Sequence, residues 1–182
     1  DDDSVPTLAE LQAGATGGPV VSLLDEPHAI ALPEIYEPGY AYPLIVWFHE
    51  AGGSEEDIFT LLPDISERNY LAMAIRGGRT TGAGAEWSTV ELGAGALVDK
   101  LQGAIARLSE KFTIHPDRVF LAGMGTGGTT AIELLLERPE AFAGAASING
   151  PFPQLTQPLA RFRGLRGRRV LLSTTMDNPD VK

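Results

Sequence analysis

The densest chemical signal in the chain is Gly123-Met124-Gly125-Thr126-Gly127-Gly128, which follows the apolar run Val119-Phe120-Leu121-Ala122 and precedes a helical pattern. It reads as a tight turn from strand to helix, and that context suits two motifs. The dinucleotide pattern G-x-G-x-x-G is met by Gly123, Gly125 and Gly128. It would bring backbone against a pyrophosphate at a helix N-terminus, with an acidic residue about 20 positions on to hold a ribose. The next strand ends Ser147-Ile148-Asn149-Gly150, with no carboxylate, and the turn falls late in the chain. The other motif is the nucleophile elbow G-x-S-x-G. It needs glycine two positions before and two after the nucleophile, because a Cβ at either place would collide with backbone in so sharp a turn. Gly123 and Gly127 fill those positions, but the centre is Gly125, which carries no hydroxyl. A third reading is a glycine turn that only packs helix against strand.

Composition narrows the chemistry. The chain has no cysteine, so thiolate metal sites, disulfides and a Cys nucleophile are out. None of its three histidines, His28, His49 and His115, pairs with another at helical spacing, which leaves no His-built metal site; no cofactor is implied. A formal net charge of −10 argues against a nucleic-acid surface. The local exception is Arg161, Arg163, Arg166, Arg168 and Arg169, read as a solvated connection before a strand or as an anion or partner site. No apolar run approaches the ~20 residues that cross a bilayer. The first residue is Asp1 rather than Met, which points to a trimmed or processed chain and leaves the compartment open.

The elements that must position these residues follow from hydrophobic period. Leu44 to Phe48 is a near-continuous apolar run of the kind buried on both faces of a parallel sheet. Tyr70 to Ile75, Val119 to Ala122, Phe142 to Ser147 and Val170 to Ser173 resemble it, and His28 to Leu32 suits an antiparallel edge strand. A helix is expected over about Ala94 to Phe112, from Leu97, Val98, Leu101, Ala104, Ile105 and Leu108 on one face. Another begins near Gly127 and ends at Pro139, and a weaker one follows Ser54-Glu55-Glu56-Asp57, which resembles a capping box. The sum is an α/β fold, a mostly parallel sheet flanked by helices on both faces. Residues 1–20 read as an acidic, flexible N-terminal segment and 21–182 as one domain. In such sheets ligands sit beyond the carboxyl ends of the strands, here His49 to Ser54, Gly123 to Gly128 and Thr174 to Asp180.

Several segments then resemble one family in the order they occur. Tyr42-Pro43-Leu44-Ile45-Val46-Trp47-Phe48-His49-Glu50-Ala51-Gly52-Gly53 closely resembles the strand and oxyanion loop of the phospholipase/carboxylesterase branch of α/β-hydrolases. Leu32 to Tyr36, His115 to Gly123 and Leu136 to Gly144 are similar to the segments around it in those esterases. The resemblance covers about Ile30 to Asp177 and implies the α/β-hydrolase fold, without its C-terminal strand and helix in this chain. It also implies a cleft for a small ester-like or acyl ligand, formed by His49, Glu50, Ala51, Gly52 and Thr126, with the oxyanion donors at Ala51 and Thr126. Asp177 matches the triad acid, with a polar turn residue as the other reading.

Two positions depart from that family. Gly125 stands where members carry the serine nucleophile, and Glu50 where they carry glycine after histidine. None of the three histidines is placed for the triad. Thr126 is the alternative nucleophile, although that one-residue shift of register puts Met124 where a small residue is wanted, and a threonine nucleophile is β-branched and needs a base beside it. Ser88 and Ser147 read as ordinary loop and core residues. These features imply an esterase homologue lacking serine-hydrolase catalysis; the alternatives are an active carboxylesterase using Thr126 or a residue outside this chain, and a nucleotide-binding module.

Overall fold

In a computed structural model, residues 28–65, 68–81, 84–87, 93–154 and 158–175 are described. The expected N-terminal segment 1–20, Ser88 and Asp177 lie outside them. Among the described residues eight strands and four α-helices form: β1 (His28–Ala31), β2 (Tyr42–Phe48), α1 (Ile58–Ile65, preceded by a 3-10 turn), β3 (Leu71–Ile75), β4 (Arg79–Thr81) and β5 (Gly84–Glu86). They are followed by α2 (Ala94–Ser109), β6 (Ile114–Met124), α3 (Thr126–Glu137), β7 (Gly144–Ile148), α4 (Pro158–Gly164) and β8 (Arg169–Ser173).

Six strands make one sheet in the order β1-β3-β2-β6-β7-β8. All neighbours run parallel except β1, which pairs antiparallel with β3, the edge role its short apolar run suggested. Every residue of β2 and β3 is buried, as a run without polar alternation requires when both faces are covered. Side-chain alternation splits the core accordingly. Leu44, Val46 and Phe48 face α2 and α3, packing with Leu101, Leu108, Leu134 and Leu135. Ile45 and Trp47 face the other way, against Ile58 of α1 with Ala72, Ala74 and Ala122. Each fully buried Leu or Ile contributes about 1.5–3 kcal/mol over its exposed state, so the two layers hold the inner strands firmly.

Three features differ from the sequence expectation. The hairpin β4–β5 and the short helix α4 were not foreseen, and α4 takes in Arg161 and Arg163 of the basic stretch read as a connection. All five residues of β8 are exposed, with Leu171 at 61%, whereas its run suggested burial on both faces. The reason is position: among the described residues β8 is the edge strand of the sheet, and no described element covers its outer side. Finally, β6 runs longer than its apolar stretch because His115 to Arg118 bulge away from β2, where the pairing steps from Tyr42–Ile114 to Leu44–Val119. Pro116, with no N–H to give, sits in that bulge.

Candidate functional site

Strand register decides which loops meet. Phe48 of β2 lies beside Gly123 of β6, Gly123 beside Ser147 of β7, and Ser147 beside Leu172 of β8. The loops beyond that row therefore converge at one end of the sheet. Glu50 and Gly125 each stand two positions past it on neighbouring strands.

The β6–α3 turn is held at every glycine that the sequence singled out. A Cβ on Gly123 would come 2.5 Å from the carbonyl carbon of Gly127, and one on Gly127 would strike the carbonyls of Phe48 and His49. One on Gly128 would meet Ser147 Oγ at 2.5 Å. The tip is Gly125, with φ +54 and ψ −126. An L side chain pays for that left-handed backbone, and glycine does not. The Gly125 N–H donates to the Ile148 carbonyl at 2.9 Å, and its own carbonyl accepts from Thr129 N–H at 3.2 Å. Thr126 opens α3 and is exposed; its carbonyl accepts the Thr130 hydroxyl at 3.1 Å.

The facing loop, His49 to Gly53, is locked from beneath. His49 is fully buried, its Nδ1 2.7 Å from the Glu50 carbonyl and its Nε2 2.9 Å from the Gly77 N–H. A backbone N–H can only donate, so Nε2 accepts and the proton sits on Nδ1. Both ring nitrogens are thereby spent on backbone. Trp87 packs on the ring at 5.3 Å and donates its indole N–H to the His49 carbonyl at 3.1 Å, while stacking edge-on against Phe48. The Glu50 carbonyl also accepts from Gly53 N–H at 2.9 Å. The hairpin β4–β5 docks onto the loop through Gly52 N–H to the Ala85 carbonyl, 3.0 Å, and Ala85 N–H to the Gly53 carbonyl, 3.1 Å. That close approach leaves no room for a side chain on Gly84, where a Cβ would strike the Gly52 carbonyl.

The expected capping box forms: Ser54 Oγ accepts from Glu56 N–H at 3.3 Å, and Asp57 reaches back to Ser54 N–H at 3.2 Å. Within it, Glu55 is buried and accepts two hydrogen bonds from Arg76, both 2.7 Å. Hydrogen bonding to Glu55 raises the Arg76 pKa above its ordinary value, against a smaller opposing effect of burial. The pair ties the end of β3 to the base of the loop.

Above this floor the side chain of Glu50 lies across the tip of the turn. The position a Cβ would take on Gly125 is 2.6 Å from Glu50 Oε1, 2.9 Å from its Cγ and 3.0 Å from its Cδ. Of the cleft residues expected from the sequence, the structure brings Glu50 and Gly125 into direct juxtaposition and places His49 beneath them as support. Ala51 and Thr126 are exposed and Gly52 half-buried on the two loops. On the β8 side, Asn149 has φ +54, donates its N–H to the Ser173 carbonyl at 2.7 Å and accepts Thr175 N–H on Oδ1 at 2.8 Å. Those bonds fix the start of the loop that leads toward Asp177.

The other imidazoles stand elsewhere. His28 is buried on β1, and His115 in the β6 bulge accepts Asp117 N–H at 3.2 Å. Among the described residues no group of three or more His, Cys, Asp or Glu could hold a metal ion, and no helix is long and apolar enough to cross a membrane. Sequence reasoning missed Trp87, Gly77, Arg76, the buried state of Glu55, and Asn149. The Arg76-Gly77-Gly78 step directly after a buried strand was the available signal for Gly77 and Arg76, since it marks a close backbone approach at a strand end.

No family model matches the chain. It is 31% identical over 131 residues to "Putative esterase NocK" of Nocardia uniformis subsp. tsuyamanensis, an alignment covering 70% of this chain and 36% of that protein. The chain thus spans about a third of that curated relative's length. Among solved structures it is similar to the carboxylesterase of Bacillus cereus, with a TM-score of 0.63 and 12% identity over 85% of this chain and 86% of that one. The feruloyl esterase module of Clostridium thermocellum matches with a TM-score of 0.61 and 14% identity, covering 82% of this chain and 62% of that one.

Proposed function

The chain has the α/β-hydrolase fold of esterases, and from that premise we propose that it is an esterase-like homologue that keeps the hydrolase cleft without serine-hydrolase catalysis. Its role is then to hold a small ester-like or acyl ligand. One observation carries this reading: the tip of the β6–α3 turn is Gly125, in elbow-like backbone geometry with no nucleophilic atom attached. Two others support it. A carboxylate, Glu50, lies where an oxyanion loop must favour negative charge developing on a substrate, and like charges repel there. The imidazole nearest the turn in sequence-predicted position, His49, has both nitrogens in backbone hydrogen bonds.

The energetic argument runs the same way. Loss of a single triad member leaves only about 10³–10⁴-fold acceleration over water, and here the nucleophile and the loop both depart from the pattern. The test is turnover of p-nitrophenyl acetate and butyrate by the unmodified full-length protein and by its Gly125→Ser variant. The unmodified protein is expected to stay at background. Robust turnover by it would overturn the proposal, and activity appearing only in the variant would support it.

A second reading is a working carboxylic-ester hydrolase that uses Thr126 or a residue outside this chain. The esterase names of its relatives and the exposed position of Thr126 on the first turn of α3 favour it. A fluorophosphonate probe mapped to Thr126 distinguishes the two. Nucleotide binding on Gly123–Gly128 has no such support: β7 ends without a ribose-binding carboxylate, and Glu50 puts negative charge beside the helix start.

A further inference from the structure

We propose that the Glu50 side chain is a built-in occupant of the acyl position and decides what the cleft accepts, excluding free carboxylates that the same backbone would otherwise bind. The inference rests on the reading of Gly125 as the nucleophile position.

The geometry behind it is independent of any relative. Glu50 reaches Gly125 with more than its flexible tip, since Cγ and Cδ lie 2.9 and 3.0 Å from the Cβ position as well as Oε1 at 2.6 Å. Its main chain cannot drift far, because its carbonyl holds two hydrogen bonds, from His49 Nδ1–H and Gly53 N–H. Gly125 is buried, and the exposed Glu50 side chain lies over it, within reach of the place where a side chain on residue 125 would begin. No ion pair to Glu50 forms among the described residues; its charge is not there to answer a neighbouring cation.

The chemistry of that place is specific. At an elbow, the acyl carbon of an ester sits at the tip, and its oxygen points at N–H groups of the facing loop and the helix start. The acid released by hydrolysis leaves a carboxylate in the same spot. The helix start favours negative charge, and Glu50 supplies one from within the chain. The two positions are therefore complementary: a carboxylate side chain fits over residue 125 only while residue 125 has none. A second carboxylate placed there would stand against the first, and the two like charges would repel, with solvent screening part of the effect.

The experiment compares binding of butyrate, by titration calorimetry and thermal shift, to the unmodified protein, Glu50→Gly and Glu50→Gln. Glu50→Gly removes both charge and volume and should bind butyrate at least about tenfold more tightly, the scale of one partly screened charge contact. Glu50→Gln removes the charge alone and should fall between. It also carries the test if Glu50→Gly does not fold. Affinity unchanged in the folded variants overturns the proposal. A second measurement checks the contact itself. Gly125→Ala should lower the Tm more when Glu50 is present than in the Glu50→Gly background; equal losses overturn the occupancy. Ester turnover by the unmodified protein is a different failure, because it removes the reading of Gly125 on which this inference stands, whereas unchanged butyrate binding leaves that reading intact.

Discussion

The two sides of the cleft are built to different standards. On the β2–β6 side every residue of β2 is buried, and the loop from His49 to Gly53 is fastened to Gly77 just past β3, to the β4–β5 hairpin and to Trp87. On the β8 side the strand is exposed along its whole length, with Val170, Leu171 and Leu172 showing apolar surface. The difference separates scaffold from chemistry. The firm side carries Glu50 and Gly125, so the two residues on which the proposed function rests sit in segments that backbone hydrogen bonds hold in place.

Three substitutions can break or sharpen that contrast. The largest effect is expected from Gly127→Ala, because its Cβ would strike the Phe48 and His49 carbonyls, which cannot swing aside as a side chain can. Overpacking of this kind costs about 3 kcal/mol or more and should lower the denaturant midpoint with the slope unchanged. A near-neutral result would mean the firm side is loose. Arg76→Ala comes next. It leaves the Glu55 carboxylate buried without its partner, a loss of about 2 kcal/mol once the 40% exposure of the Arg76 side chain is allowed for. Arg76→Lys should recover only part of it, since an ammonium lacks the two-nitrogen fork that meets both carboxylate oxygens in parallel. The smallest effect belongs to Leu171→Lys on β8. At 61% exposure it should change stability by no more than about 0.5 kcal/mol. A drop of several degrees in Tm would show that something covers the strand and would erase the contrast.

The fold was legible because its signals are local. Apolar runs at Leu44 to Phe48 and Tyr70 to Ile75 have no helical period, and the seam of Leu97, Leu101 and Leu108 has no strand period, so each could become only one element. The short β4–β5 hairpin was not legible, since Arg79-Thr80-Thr81 and Gly84-Ala85-Glu86 carry no apolar alternation. Their pairing is decided by the neighbouring loop they dock on. Burial of β8 was misjudged for a related reason. An apolar run states what a strand would bury, but sheet order states whether anything is there to bury it.

At the cleft, residue types were readable and partnerships were not. The glycines at 123, 125 and 127 stand out in one dimension. That Glu50 lies over Gly125 follows only from the register of β2 against β6, which no spacing within either segment contains. His49 illustrates the same limit. Its place after the strand was plain, but its support of the loop depends on Gly77, 28 positions away in the chain.

The left-handed backbone at Gly125 has one more consequence. Where a protein must display a side chain at such a tip, the awkward conformation, of order 1–3 kcal/mol, is a standing tax on folding that activity obliges it to keep. With hydrogen alone at that position the obligation lapses, and the bend becomes as comfortable as any other reverse turn. On the function proposed above, the customary rivalry between robustness and reactivity is absent from this corner of the molecule, which is then as stable as its packing allows.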